Sequence, residues 1–300
     1  MFYDYKTVVF LDGEFVNAKQ FGKVSLYSQT FLYGNGAFEG IRAYKTSHGV
    51  QIFKAKQHFE RLKASATQIY IDLPYSVEKL EEIAYTLLEK NHLQNAYLRP
   101  VAFLGEGISL DSVNKTHFFM GAFKWAKYLG EKPLKTMVSS FQRPHPKAFP
   151  VETKCCGMYV NSVIASTEAR RKGFQEAIML DYQGFVSQAP GANLFYIKDN
   201  ELFTPPSGSI FQGVTRQTIL ELAKQRNIPI HEKLFKIEDL QSADSAFLTG
   251  TAAEMVAIES VNEVDLKFGK NPQQTIYKEL SESYMDLLRT FKPEQPLTII

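Results

Sequence analysis

The apolar residues of this 300-residue chain change period twice before residue 130, and no other feature constrains its fold as much. Val8-Val9-Phe10-Leu11 and Glu14-Phe15-Val16 are strand-like runs flanking Asp12-Gly13, a pair that predicts a tight hairpin. Further extended runs are expected from Ala37 to Tyr44 and over Val50-Gln51-Ile52-Phe53. The spacing then turns helical. Phe59, Leu62, Ala66 and Ile69 share one face, as do Val77, Leu80, Ala84, Leu87 and Leu88 behind the N-cap candidate Ser76. Strand-like runs return at Ala96–Leu104 and His117–Trp125, so this stretch predicts a mixed α+β domain.

Tyr128-Leu129-Gly130-Glu131-Lys132-Pro133 carries no period and is punctuated by Gly and Pro. The domain boundary is placed there, with a smaller α+β domain over 1–132 and a larger one over 133–300. Arg143-Pro144-His145-Pro146-Lys147 is expected to be a surface loop of the second domain. The remainder alternates between periods. Thr136–Phe141, Glu176–Asp181, Phe185–Gln188, Ser245–Leu248 and Met255–Val261 predict extended segments, and Met158–Lys172, Thr215–Gln225 and Gln273–Thr290 predict helices. The fold class expected is α/β (α+β) in two domains.

Composition narrows the function. Lys and Arg number 34 against 32 Asp and Glu, so charge makes no case for nucleic acid or a membrane surface. No apolar run approaches the ~20 residues of a spanning helix. The start Met1-Phe2-Tyr3-Asp4-Tyr5-Lys6 lacks the features of a signal peptide, and a cytoplasmic protein is expected. The two cysteines are adjacent, Cys155 and Cys156, which excludes a disulfide framework or a cysteine-based zinc site. Six scattered histidines show no ligand spacing, and no metal is expected.

Two segments could bind an anion. Phe211-Gln212-Gly213-Val214-Thr215-Arg216 opens a predicted helix, where free backbone N–H groups, a hydroxyl and the positive dipole end would hold a phosphate. The alternative is a plain cap. Thr249-Gly250-Thr251-Ala252-Ala253-Glu254 follows an apolar strand and could present N–H groups to a phosphate or carboxylate. There is no phosphate loop ending in Gly-Lys-Ser/Thr, no Gly-rich dinucleotide turn and no Gly-x-Ser-x-Gly elbow.

Several strings, in order, carry a family resemblance. They are Tyr33-Gly34-Asn35-Gly36-Ala37-Phe38-Glu39-Gly40-Ile41-Arg42, Tyr97-Leu98-Arg99-Pro100, Glu168 to Ala177, Asn193-Leu194-Phe195, Leu202-Phe203-Thr204-Pro205-Pro206 and Thr249 to Glu254. From about Val8 to Val261 the chain resembles the class-IV, pyridoxal-phosphate-dependent aminotransferases, and within them the branched-chain amino acid aminotransferases. The resemblance implies a two-domain fold-type IV enzyme like the D-amino acid aminotransferases, with the larger domain binding pyridoxal 5'-phosphate. It also implies amino acid and 2-oxo acid substrates, a role in branched-chain amino acid biosynthesis, and at least a homodimer.

Site residues follow from the same resemblance. Lys154, in Lys154-Cys155-Cys156-Gly157-Met158-Tyr159, would hold the cofactor covalently and shuttle the proton at the substrate α-carbon. Tyr159 would bond the cofactor's phenolic oxygen and Arg61 would clamp its phosphate. Val214, Thr215 and Thr251 would complete the phosphate cradle, in agreement with the two anion turns. Ala252 and Ala253 would offer N–H groups to the substrate carboxylate. Tyr33, Phe38, Trp125 and Tyr128 would wall the apolar pocket; each taken alone is more often core packing. Arg99 would receive the second carboxylate of glutamate.

In one place the pattern breaks. The family's Ser-Glu-x-x-x-Glu-Asn stretch is here Ser187-Gln188-Ala189-Pro190-Gly191-Ala192-Asn193. Gln188 stands where a glutamate meets the pyridine nitrogen, and an amide cannot supply the charge that keeps that nitrogen protonated. Cys155 and Cys156 are read as buried apolar filler. Three readings stay open: an aminotransferase for branched-chain or similar apolar amino acids using 2-oxoglutarate or glutamate; a cofactor enzyme of altered reaction, a lyase or a transaminase for another amine; and a weakly catalytic binding protein.

Overall fold

A computed structural model of the chain describes residues 4–21, 23–111, 114–125, 128–271 and 275–292. The reading of Met1–Tyr3 and the first two residues of the helix expected at Gln273 lie outside the described residues. The chain forms two compact units. The first holds the chain up to Trp125, the short segment Lys154–Cys156 and the chain from Met285 onward; the second reaches Thr153 and resumes over Gly157–Tyr284.

The first unit contains β1 (Val8–Leu11), β2 (Glu14–Asn17), α1 (Ala18–Phe21), α2 (Gln29–Tyr33), β3 (Gly36–Phe38), β4 (Ile41–Thr46), β5 (Gly49–Ile52), α3 (Ala55–Gln68), α4 (Val77–Lys90), β6 (Ala96–Leu104) and β7 (Thr116–Phe123). Its sheet runs β2-β1-β7-β6-β4-β5, with β3 also paired to β6. The expected hairpin forms: Asp12 and Gly13 have φ of 48° and 102°, and Val9 lies opposite Val16. Positive φ at both turn residues matches the twist of the strands they join. Phe59, Leu62 and Ala66 of α3 and Leu80, Ile83, Ala84 and Leu87 of α4 share one core with Ile41, Leu98, Phe118 and Met120 of the sheet. Ser76 caps α4 by accepting the Lys79 N–H at 3.2 Å.

The strand expected from Ala37 to Tyr44 is interrupted between β3 and β4. The Glu39 carboxylate accepts the Gly40 N–H at 3.2 Å, which takes that donor out of a ladder. Any side chain on Gly40 would collide with the Tyr97 hydroxyl.

The second unit contains β8 (Leu134–Val138), α5 (Tyr159–Arg171), β9 (Glu176–Leu180), β10 (Val186–Ala189), β11 (Ala192–Lys198), β12 (Glu201–Thr204), α6 (Val214–Gln225), β13 (Ile230–Glu232), α7 (Ile237–Gln241), β14 (Ser245–Gly250), β15 (Glu254–Val261) and β16 (Val264–Asp265). The last helix, α8 (Ile276–Thr290), begins in this unit. The sheet order is β10-β9-β8-β15-β14-β11-β12-β13, and a further β10–β11 pairing closes the strands from β10 round to β11 into a ring. Leu194, Leu248, Val256 and Ile258 lie in one core of this unit.

Arg143 departs from the surface loop expected of it. Its side chain is buried, Nη2 donates to the Val151 carbonyl at 2.8 Å, and burial pushes its pKa down to about 10. Only the later part of that loop, Pro146 and Lys147, is exposed.

Candidate active site

Lys154 belongs to the three residues with which the chain re-enters the first unit. Its N–H donates to Ser65 Oγ at 3.1 Å and its carbonyl accepts the Phe38 N–H at 3.0 Å. Cys156 N–H donates to the Gly36 carbonyl at 2.7 Å, and Cys155 forms an antiparallel bridge with Ala37. The lysine backbone is thus fixed on both sides, by β3 and by α3. Its Nζ lies 5.0 Å from the Phe38 ring centroid, and the Arg99 guanidinium carbon lies 4.6 Å from the same centroid. Arg99 Nη2 donates to the Tyr97 hydroxyl at 3.1 Å, and Trp125 packs edge-on against Tyr97 with centroids 4.6 Å apart. Four residues anticipated from the sequence, Lys154, Phe38, Arg99 and Trp125, therefore meet around Phe38 and Tyr97. Tyr33 is not among these contacts; it ends α2 half-exposed, its hydroxyl donating to the Ile108 carbonyl at 3.0 Å.

Arg61 sits on α3, with His58 and Ser65 at the spacing that places all three on one face. Its Nε and Nη2 donate to the two oxygens of Glu39 at 2.6 and 2.9 Å, a two-point pair with a carboxylate that has no exposed surface. His58 Nδ1 lies 3.0 Å from Glu39 Oε2. Burial alone would raise the Glu39 pKa; Arg61 and His58 reverse that and hold the carboxyl well below the usual range. For His58, burial outweighs the attraction of Glu39 and, with Arg61 and Lys154 adding repulsion, lowers its pKa, so the ring is neutral at neutral pH. The sequence reading did not single out Glu39 or His58. The available signal was the polar spacing His58–Arg61–Ser65 beside the apolar stripe of α3.

Cys155 is buried, with Sγ 3.7 Å from the Gly34 carbonyl, and burial pushes the Cys156 thiol up to about 11. Thiols held protonated are poor nucleophiles.

In the second unit, Gln188 on β10 lies opposite Asn193 on β11, and Asn193 lies opposite Thr249 on β14. Directly opposed residues share a face of the sheet, so the three form a polar row, and all are buried. Gln188 Oε1 accepts the Phe211 N–H at 2.7 Å and its Nε2 donates to the Ala189 carbonyl at 3.2 Å. Asn193 Nδ2 donates to the Phe211 carbonyl at 2.7 Å. Thr249 Oγ1 is buried and has no hydrogen-bond partner among the described residues.

Phe211 leads into α6. Gly213 is the N-cap and supplies no side-chain bond, so the first-turn N–H groups of Val214 and Thr215 are not capped by it. The Thr215 side chain is buried beside them. Thr251, Ala252 and Ala253 make the turn between β14 and β15, and the Ala252 carbonyl accepts the Tyr128 N–H at 3.0 Å. The Tyr128 side chain is partly exposed, and burial of its remainder raises its phenol pKa. Tyr159 is the first residue of α5. Both anion turns found in the sequence thus exist as helix start and strand-joining turn. The uncapped α6 start with a buried hydroxyl suits a phosphate, and a buried row ending in an unpartnered hydroxyl suits a polar ring system. The residues present fit pyridoxal 5'-phosphate.

Residues 36–261 match the family described as amino-transferase class IV. The chain is 37% identical over 270 residues to a branched-chain-amino-acid aminotransferase of Escherichia coli (strain K12), covering 87% of each. It is similar to the crystal structure of a branched-chain aminotransferase from Thermoproteus uzoniensis with norvaline, with a TM-score of 0.89 and 36% identity over 94% of both chains. A further crystal structure, of a branched-chain amino acid aminotransferase complexed with N-(5'-phosphopyridoxyl)-L-glutamate, gives a TM-score of 0.89 at 29% identity over 96% of both chains.

Proposed function

The chain belongs to the class IV aminotransferases, and from that premise we propose that it transfers the amino group of leucine, isoleucine, valine or a similar apolar amino acid to 2-oxoglutarate. It is an aminotransferase of fold-type IV, a family whose cofactor is pyridoxal 5'-phosphate. The observation that carries the substrate assignment is the extent of the likeness: relatives bearing the branched-chain name match the chain over nearly its whole length. The phosphopyridoxyl-glutamate complex of the structural relative, whose ligand joins the cofactor to glutamate, supports the second substrate.

When bound, the cofactor supplies the carbonyl that takes up the amino group and a ring that accepts electron density from the α-carbon. Lys154 holds it and then, as a free amine, takes and returns the proton at the substrate α-carbon. The fixed backbone of Lys154 limits the search of its Nζ, which favours a short, repeatable proton path. Arg61, Val214, Thr215 and Thr251 hold the phosphate, and Tyr159 bonds the phenolic oxygen. Phe38 and Trp125 exclude water around an apolar side chain, while Arg99 receives the distal carboxylate of glutamate. Ala252 and Ala253 present N–H groups to the α-carboxylate.

Gln188 takes the place beside the ring nitrogen. Its Oε1 is engaged by the Phe211 N–H, so the amide can turn only its Nε2 toward a ligand. A donor there suits an unprotonated nitrogen. This observation favours a second reading, in which the same cofactor serves a reaction needing less electron withdrawal. In either reading residues 133–300 supply most of the cofactor contacts. We further place the protein in the cytoplasm as a homodimer or higher homo-oligomer. Among the described residues no helix is long and apolar enough to cross a membrane. Leu26, Tyr27, Phe31 and Ile108 stand exposed in the first unit, as an interface between copies would require.

The test is chemical. Borohydride reduction of the yellow holoenzyme should fix the cofactor to the peptide containing Lys154, and Lys154→Ala should abolish the lysine-bound absorption. Reduction onto another lysine would remove Lys154 from this role.

A further inference from the structure

We infer that Asn193 is a positioning residue for the phosphate end of the cofactor, acting with Gln188 as a clamp on the Phe211 peptide; this rests on the cofactor reading above. Gln188 and Asn193 are register partners on β10 and β11, so their side chains leave the sheet side by side. One amide accepts the Phe211 N–H at 2.7 Å and the other donates to the Phe211 carbonyl at 2.7 Å. Both polar groups of one loop residue are thereby satisfied by rigid strands rather than by water.

Phe211 is two residues before the Gly213 cap of α6. Holding its peptide from both ends sets where the Val214 and Thr215 N–H groups begin. A second contact reinforces the clamp. Asn193 Oδ1 packs so closely on Gly213 that a Cβ there would collide with it. Gly213 has φ −72° and ψ 135°, a conformation open to any residue. The glycine therefore makes room for the approach of Asn193, whose amide a Cβ there would push aside, and is not needed for its backbone. The clamp also fixes which end of Gln188 is the donor, because Oε1 is committed to Phe211. Asn193 thus links the ring-nitrogen residue and the phosphate turn without touching the reacting atoms.

The test measures binding of two probes to the full-length protein freed of cofactor: pyridoxal 5'-phosphate and pyridoxal, which lacks the phosphate. Asn193→Ala should weaken the phosphorylated probe roughly tenfold, the equivalent of about one buried hydrogen bond. Pyridoxal affinity should change less than about twofold, since the ring contacts keep their partners. Gln188→Glu keeps an oxygen for the Phe211 N–H and should leave the ratio of the two affinities unchanged. Gly213→Ala, which displaces the Asn193 amide from the other side, should reproduce the Asn193→Ala ratio and serves if that variant does not fold. Equal losses for both probes in Asn193→Ala and Gly213→Ala, or no loss for either, overturn the clamp. Wild-type protein that binds neither probe overturns the cofactor reading itself, and the clamp with it.

Discussion

A carboxylate without exposed surface stays ionised only if a cation is beside it, and Glu39 has Arg61. The family resemblance implies a phosphate clamp at Arg61; the structure shows its Nε and Nη2 engaged by Glu39. Arg61→Ala would therefore leave a buried carboxylate that, among the described residues, has no cation beside it and is held only by His58 and the Gly40 N–H. It should cost ~3–5 kcal/mol of stability in chemical denaturation, over and above weaker cofactor retention. A loss under about 1 kcal/mol would mean that the pair is not structural in solution. The same cluster sets a pH dependence. Unfolded His58 takes up a proton below its ordinary 6.5, whereas folded His58, with a lowered pKa, resists it. The unfolded chain then binds more protons, so this contribution is complete above 6.5 and is lost as pH falls from there through the folded value. Glu39, also lowered, adds a second loss below its ordinary 4.5. Denaturation midpoints measured against pH should fall in both windows, and His58→Asn should remove the upper loss and, by taking away part of what holds Glu39 low, shrink the lower one as well. At Gln188, an opposite charge typically moves a neighbouring pKa by ~1–3 units. Gln188→Glu should therefore protonate the ring nitrogen of ¹⁵N-labelled cofactor, seen by its NMR shift, and speed single-turnover conversion with leucine. A faster wild type would favour the altered-reaction reading.

At the scale of elements, what could be read in the sequence follows the strength of each local signal. The β1–β2 hairpin has its Asp12-Gly13 turn, α4 has its Ser76 cap, and α3 and α6 have a helical apolar spacing, and each forms where its pattern puts it. Ser76→Ala should cost about 1 kcal/mol, read from denaturation, because the Lys79 N–H loses its acceptor. The strands β11 to β13 carry no comparable signal, although Asp199-Asn200 between β11 and β12 has φ of 52° and 63° and makes a tight turn without glycine. The interruption at Glu39-Gly40 was illegible for a different reason. It depends on the Tyr97 hydroxyl and on a buried ion pair, both distant in sequence. Of the site, the two anion turns carried local signals. The Gln188–Asn193–Thr249 row did not, since only strand register brings those residues together.

At the scale of the whole molecule, the residues that the family resemblance implies are divided between the two units. The first holds Lys154, Phe38, Arg99 and the Glu39–His58–Arg61 cluster; the second holds Gln188, the α6 start and the Thr251–Ala253 turn. No periodicity foretold that Lys154–Cys156 would group with a unit the chain had left at Trp125. At this scale Arg99→Ala should spare cofactor binding and slow glutamate far more than leucine, measured as the ratio of kcat/KM for the two donors. Equal losses would remove Arg99 from dual-substrate recognition. The most direct measurement of the central claim is the half-reaction, in which purified holoenzyme is mixed with leucine, isoleucine or valine and no 2-oxo acid. Conversion of the cofactor to its pyridoxamine form, with one equivalent of the matching branched 2-oxo acid and none in Lys154→Ala, is the result expected. Holoenzyme that all three amino acids leave unconverted, while an amine of another class converts it, would contradict the account.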